Sequence, residues 1–140
     1  MKLVILATIA PYLILCLATP VLAANPVQVQ QLLDTKNCPG CNLVGADLSG
    51  QDLYGANLVD ANLRGAILSQ ANLERANLVG ADLTGADVTS TTLRQANLIQ
   101  AKLSGVNLNK ADTHSAKFSP SILLKDNLQN LQLLQLSRWA

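Results

Sequence analysis

The chain has 140 residues, 49% of them hydrophobic but only 3% aromatic, and a formal net charge of +1. That length holds one domain with its processing segments and no second core. Near-neutrality argues against partners that need an electrostatic footprint, nucleic acid and anionic membranes among them, and an apolar inventory of Leu, Ala and Val points to a narrow, regular interior.

The first element in chain order is an export signal. Lys2 and the α-amine supply its positive start, and residues 3 to 19 carry no charged side chain. Pro20 then precedes Val21-Leu22-Ala23, an A-x-A-like cleavage site. Residues 1–23 are therefore expected to be removed. The alternative is an uncleaved anchor, because the uncharged run approaches the length of a bilayer span. Cys16 follows Leu15, where a lipid-attachment site needs a small residue. Cleavage takes Lys2 with it and leaves nine basic and nine acidic residues, a neutral chain with no stable membrane insertion. Export also implies a compartment in which disulfides persist.

Residues 24–40 read as an N-terminal capping segment, with Val29, Leu32 and Leu33 at helical spacing. From residue 41 a strict period of five takes over. Every fifth residue from 43 to 118 is Leu except Val88, Thr113 and Phe118. Two positions earlier the residue is Ala except at Cys41, Gln51, Thr91 and Val106, and between the two sits mostly Asp or Asn. Ala56-Asn57-Leu58, Ala61-Asn62-Leu63 and Ala81-Asp82-Leu83 show the unit, and sixteen units run from 41 to 120 without a gap.

A helix cannot use this pattern. Five residues advance it by about 500°, so successive Leu side chains rotate by about 140° and form no stripe. A continuous strand fails as well, since five is odd and alternate Leu residues would leave by opposite faces. The chain must turn once per repeat. All eight glycines (40, 45, 50, 55, 65, 80, 85 and 105) lie two positions after the central residue, where a type II turn needs positive φ. The corners carrying Asp60, Gln70, Arg75, Gln95 and Lys110 are expected to use a turn without that requirement. Pro39 and Pro120 bracket the array, and no proline interrupts its ladder.

These units resemble the pentapeptide-repeat family, whose signature is A(D/N)LXX, over 80 of the 140 residues. The resemblance implies an all-β fold, a right-handed quadrilateral β-helix of four coils, with coils stacked at about 4.8 Å. Gln51, too large for the small position, is expected to distort the first coil. Open solenoid ends need covering, so short helical caps are expected at 24–40 and at 121–140, where Leu124, Leu128 and Leu131 line one face. The rival reading of the C-terminal segment is a dimerisation helix.

Chemistry-bearing residues are few. Cys38 and Cys41 form a CxxC, but no second pair or neighbouring His completes a zinc site and no βαβ pattern gives a thioredoxin-like setting. By register both point inward around one corner, whose ends lie within about 7 Å; that fits a structural disulfide, with buried thiols and a redox pair as alternatives. His114 should face solvent in the last coil. Asp47 and Asp87, two coils apart with Ile67 between them, sit on a convex side without the cleft a glycosidase needs. No catalytic constellation, cofactor site or metal cluster emerges, so the chain is not read as an enzyme.

Residues twenty apart should fall in columns. Val59, Val79 and Ile99 share an outward position, either as a docking ladder or merely as β-branched neighbours that pair well. Glu74 stands over Arg94 as an exposed ion pair of little worth. The leading functional reading is a non-enzymatic protein-binding or scaffold module, exported to the periplasm or thylakoid lumen; similar signal-bearing pentapeptide-repeat proteins occur in photosynthetic bacteria and in chloroplast lumens. Its protein partner is not identifiable from sequence, and a homodimer is one option. The resemblance also raises DNA mimicry directed at type II topoisomerases, which seven acids against six bases in the array and the export signal disfavour. A purely structural, oligomerising role is the third reading.

Overall fold

A computed structural model describes residues 23–108 and 110–119. Residues 1–22 of the expected signal peptide (1–23) and the C-terminal segment 121–140 lie outside the described residues, and with them the expected cleavage and the expected C-terminal cap.

Helix α1, Pro26–Thr35, opens on a complete N-cap. The Asn25 side chain accepts from the amides of Val27 (3.0 Å) and Gln28 (3.4 Å), and Pro26 occupies a first-turn position where no amide is missed. The helix ends where Lys36 turns left-handed at φ 56° and its amide donates to the Leu32 carbonyl at 2.8 Å. Leu32 is fully buried, while Val29 and Leu33 pack partly against the same core. Their burial on the end of the repeat array, at about 1.5–3 kcal/mol for a full Leu, holds a helix too short to persist alone.

Beyond α1 the backbone pairs with itself at an interval of twenty residues. Asn37, Asn57, Asn77 and Asn97 pair in succession, and Asn97 with Lys117, all parallel. Three further columns start at Asn42, Asp47 and Asp52, so each coil has four sides. The bonds around Leu58 show the rule. The Leu58 amide donates to Asn77 O (2.8 Å) and the Asp60 amide to Val79 O (2.9 Å). The Asn77 amide returns to Ala56 O (2.8 Å), and Ala61 N closes the corner on Leu58 O (3.1 Å). The ladder begins at Asn37, one unit before the A-N-L pattern becomes readable, because Lys36-Asn37-Cys38 occupies the same register.

Only β1 (Asn97–Leu98) and β2 (Lys117–Phe118) are regular strands among the described residues, paired parallel as Asn97↔Lys117 and Leu98↔Phe118. Elsewhere each side contributes a single paired residue. A turn every five residues leaves no longer extended run, so the fold is a β-helix built mainly of bridges.

The corners depart from expectation. Asp60, Gln70, Arg75, Gln95 and Lys110 all have φ between 55° and 61°, as do Ser90, Gln100 and Ser115, matching the glycine corners at 63° to 70°. One turn type therefore serves every corner. With the i→i+3 bond and positive φ confined to the third residue it is type II. Coil stacking dictates the geometry, and a side chain at that position must accept left-handed backbone at a cost of about 1–2 kcal/mol.

The interior consists of the central Leu column on each side with the small residues beside it. Leu58, Leu78 and Leu98 lie directly over one another at 0, 0 and 1% exposure. Thr91 is fully buried at a small position, and its hydroxyl donates to Leu68 O at 2.7 Å, which removes the penalty of a polar group there. Gln51 does not distort its coil. Its side chain stays exposed at the α1 end of the stack, and its backbone keeps ordinary bonds, Gln51 N to Leu48 O (3.2 Å) and Asn72 N to Gln51 O (2.9 Å).

Two exposed corners give opposite tests of this geometry. Gly65→Ala meets nothing within 4 Å, so its cost, about 1 kcal/mol, comes from φ alone. Gln70→Gly relieves the same strain and should be neutral to stabilising by up to about 1 kcal/mol, the loosened unfolded chain taking part of the gain. Urea midpoints of the two variants should move in opposite directions or leave Gln70→Gly unchanged.

Candidate functional site

The Asp or Asn before each Leu has a local task that periodicity alone did not disclose. Its side-chain oxygen accepts from the amide two residues on, as in Asn57 Oδ1 with Val59 N (3.4 Å), Asn77 Oδ1 with Val79 N (3.3 Å) and Asn97 Oδ1 with Ile99 N (3.3 Å). This Asx turn fixes the residue that follows the Leu as it leaves the side. On one side of the coil those residues are Val59, Val79 and Ile99. Their carbonyls accept from Gly40, Asp60 and Gly80 at 2.8, 2.9 and 3.0 Å, so only side chains remain to meet a partner.

The structure places the three in one column, with Pro39 exposed before them and Ser119 after. The strip is graded: Val59 and Val79 are half-buried, and Ile99 is 39% exposed. Asp60 borders it, its carboxylate filling the space that a Cβ at Gly80 would take. Two comparably exposed apolar residues stand on other sides. Ile67 (42%) lies between Asp47 and Asp87, and Tyr54 (42%) accepts from Arg75 Nη1 at 2.7 Å. Each is a single break in a polar column, a signal that column-by-column reading of the sequence offers.

Cys38 and Cys41 are joined around the first corner, with Cα atoms 5.4 Å apart and exposures of 0 and 3%. The ion pairs differ from expectation. Arg94 turns not to Glu74 but to Asp112, at 3.8 Å, while Lys36 pairs with Asp52 (2.9 Å) and Lys102 with Asp82 (3.5 Å). The Asp112 carboxylate extends from the neighbouring column of the next coil, where Asp112 pairs with Thr92. His114 is exposed. A shallow depression lined by Val44, Asn62, Arg64, Gly65 and Thr84 opens broadly to solvent. Among the described residues no cluster suits a metal ion, and no helix is long and apolar enough to cross a membrane.

Four carboxylates on the sides, Asp47, Asp52, Asp82 and Asp87, are held ionised. The Ser49 hydroxyl and amide lower the pKa of Asp47, and those of Thr89 do the same for Asp87. Lys36, then the Tyr54 amide, lowers Asp52. Partial burial pushes Asp82 up, but the Thr84 hydroxyl and amide together with Lys102 outweigh it, and the net direction is down. Asp47 and Asp87 each accept from the amide and the hydroxyl of the residue two positions on, and so act as turn-forming groups.

A family model, "Pentapeptide repeats", matches residues 37–70, 56–95 and 89–122. The chain is a pentapeptide-repeat protein. A solved pentapeptide-repeat protein of the Arabidopsis thaliana thylakoid lumen is 37% identical, with 54% of this chain and 55% of that one covered and a TM-score of 0.52. A second, from the cyanobacterium Cyanothece 51142, is 34% identical over 60% of each chain, with a TM-score of 0.42. A third, from Nostoc, is 30% identical over 80% of this chain and 96% of that one, with a TM-score of 0.44. The chain thus spans little more than half the length of the first two. Comparison with curated proteins finds no match.

The lowered carboxylates set the acid behaviour of this pentapeptide-repeat protein. Groups whose folded pKa is depressed contribute stability in full above their unfolded value, here 3.8, and lose it as pH falls through the lower folded values. Thermal midpoints should hold from neutrality to about pH 4 and then fall. Asp47→Asn with Asp87→Asn keeps both turns and should flatten part of that acid limb while lowering the neutral midpoint slightly, because the contribution of the two charges is then absent at every pH.

Proposed function

We propose that the protein is a non-enzymatic protein-binding or scaffold module in an exported compartment, periplasm or thylakoid lumen, with Val59, Val79 and Ile99 as its contact strip. The observation that carries this reading is a column of aliphatic side chains on a rigid side whose backbone groups are already spent in the ladder. A partner would meet a preformed apolar ridge, with little ordering cost to the repeat protein. Family membership agrees, since pentapeptide-repeat proteins are generally non-enzymatic. The export signal expected from the sequence and the lumenal origin of one relative support the compartment.

DNA mimicry has no comparable support, because acids and bases nearly balance along the array. Affinity capture from periplasmic or lumenal extract, with the wild-type chain and Val79→Asp as baits, tests the strip. Wild type should retain a protein that the variant loses; identical recoveries from both would remove the strip from the account.

The C-terminal segment is proposed as a cap, through Leu124, Leu128 and Leu131, rather than a dimerisation helix. Sedimentation of the chain lacking 121–140 should then show aggregation, whereas clean monomers would point to an interface.

A further inference from the structure

The contacts of α1 with the array converge on one corner. Gln31 Nε2 donates to Asn37 O (2.9 Å), the Asn42 amide donates to Gln28 Oε1 (2.7 Å), and the Asn25 amide donates to Asn42 O (3.0 Å). Lys36, the helix C-cap, leads directly into that corner. Every one of these partner groups on the array lies within 37–42, the segment that Cys38 and Cys41 tie together. Cys38 Sγ also lies 3.3 Å from the Gln28 carbonyl oxygen, on the inner face of the helix.

We propose that the Cys38–Cys41 bridge is a thiol-exchange site gated by α1, whose reduction in turn loosens α1 from the end of the β-helix. This inference is independent of the contact strip.

Access gives the first half. Both cysteines are buried, at 0 and 3% exposure, so an incoming thiolate cannot reach either sulfur while the helix is docked. Two rows of the ladder hold the other sides of the corner, Cys38 N to Asn57 O (2.9 Å) and Asn62 N to Cys41 O (2.8 Å). With Asn57 N to Lys36 O, Gly40 N to Val59 O and Leu43 N to Asn62 O the ladder makes five bonds there, against the three from α1 and its cap, so the helix yields first.

Packing gives the second half. Cys41 occupies a column otherwise filled by Ala61, Ala81 and Ala101, and Cys38 one filled by Leu58, Leu78 and Leu98. While bonded, the sulfurs share one another's space. Once reduced, they must separate to a non-bonded contact of about 3.5–4 Å, at two positions that are already buried. Cys38 then presses toward the Gln28 carbonyl, and a thiol is too weak a donor for its bond to that oxygen to offset much. Because coupling is reciprocal, a helix that shields the bridge is itself secured by the bridge.

The reaction is ordinary exchange with a dithiol. One thiolate of the reductant attacks one sulfur, and the other cysteine leaves as a thiolate and takes up a proton. The second thiol of the reductant then resolves the mixed disulfide, releasing the remaining cysteine as a thiol and the reductant as its own disulfide. Two electrons and two protons pass to the protein. The reduced state frees the Asn42 amide and carbonyl, uncovering the edge of the first coil.

Reduction kinetics of the full oxidised chain by dithiothreitol provide the test, followed by maleimide tagging and peptide mapping to separate Cys38 and Cys41 from Cys16. Gln28→Ala and Leu32→Ala should each speed reduction at least about tenfold, because opening of the helix sets the reactive population. Leu98→Val weakens the array three coils further on and should leave the rate within about twofold. If Leu32→Ala does not fold, Gln28→Ala, which removes one hydrogen bond, carries the comparison alone. Equal acceleration by Gln28→Ala and Leu98→Val means that exchange needs global unfolding, and no acceleration by Gln28→Ala means that the bridge is already open; either overturns the gate. Reduction of the wild type should raise hydrogen exchange at the Asn42 amide at least about tenfold, and an unchanged amide overturns the coupling.

Discussion

One backbone constraint organises this molecule: a left-handed residue every fifth position, closed by an i→i+3 hydrogen bond and repeated until the chain lies over its own path twenty residues earlier. Stacking then supplies the amide and carbonyl partners that so short an extended segment cannot find by itself. It also brings each Leu onto another Leu, so burial and hydrogen bonding are satisfied by one displacement along the axis. Neither term suffices alone. Without the ladder the corners would strand polar backbone groups, and without the apolar column nothing would offset the conformational entropy of so many fixed turns.

The Asp/Asn position joins these two requirements. A short side-chain acceptor there reaches the amide that the corner would otherwise leave unbonded, and it leaves the other side-chain atoms for the neighbouring coil. Asn57 Nδ2 donates to Asn37 Oδ1 (2.8 Å) and Asn72 Nδ2 to Asp52 Oδ1 (3.0 Å), so these residues also stitch coils together. Where a hydroxyl follows, as at Ser49, Thr84 and Thr89, the carboxylate takes a second bond and is held charged.

The interior was legible from sequence because a period of five admits a single regular solution, and Leu58, Leu78 and Leu98 lie where that solution puts them. Placement of the outward columns followed from the same arithmetic. The corner conformation did not. Asp60, Gln70 and Arg75 have no intrinsic preference for positive φ, and reading them by propensity gave the wrong turn, since the coils above and below fix the backbone whatever the residue. Side-chain partners such as Arg94 with Asp112 were equally out of reach, because a choice between neighbours about 5 Å apart depends on rotamers. The early start of the ladder at Asn37 was hidden for another reason. Lys36 and Cys38 replace the two residues by which a unit is recognised, yet the backbone pairs there as elsewhere.

The twenty-residue pairing interval has a consequence for how such a chain can vary. Gain or loss of a single five-residue unit leaves inside and outside unchanged, yet rotates everything downstream by a quarter turn about the axis. Val79 and Ile99 would then leave the line begun by Val59 and emerge on an adjacent side, with the stack otherwise intact. A surface that spans several storeys can therefore be dismantled or transferred to another wall by a change the interior does not register, and only insertions of a whole circuit preserve it.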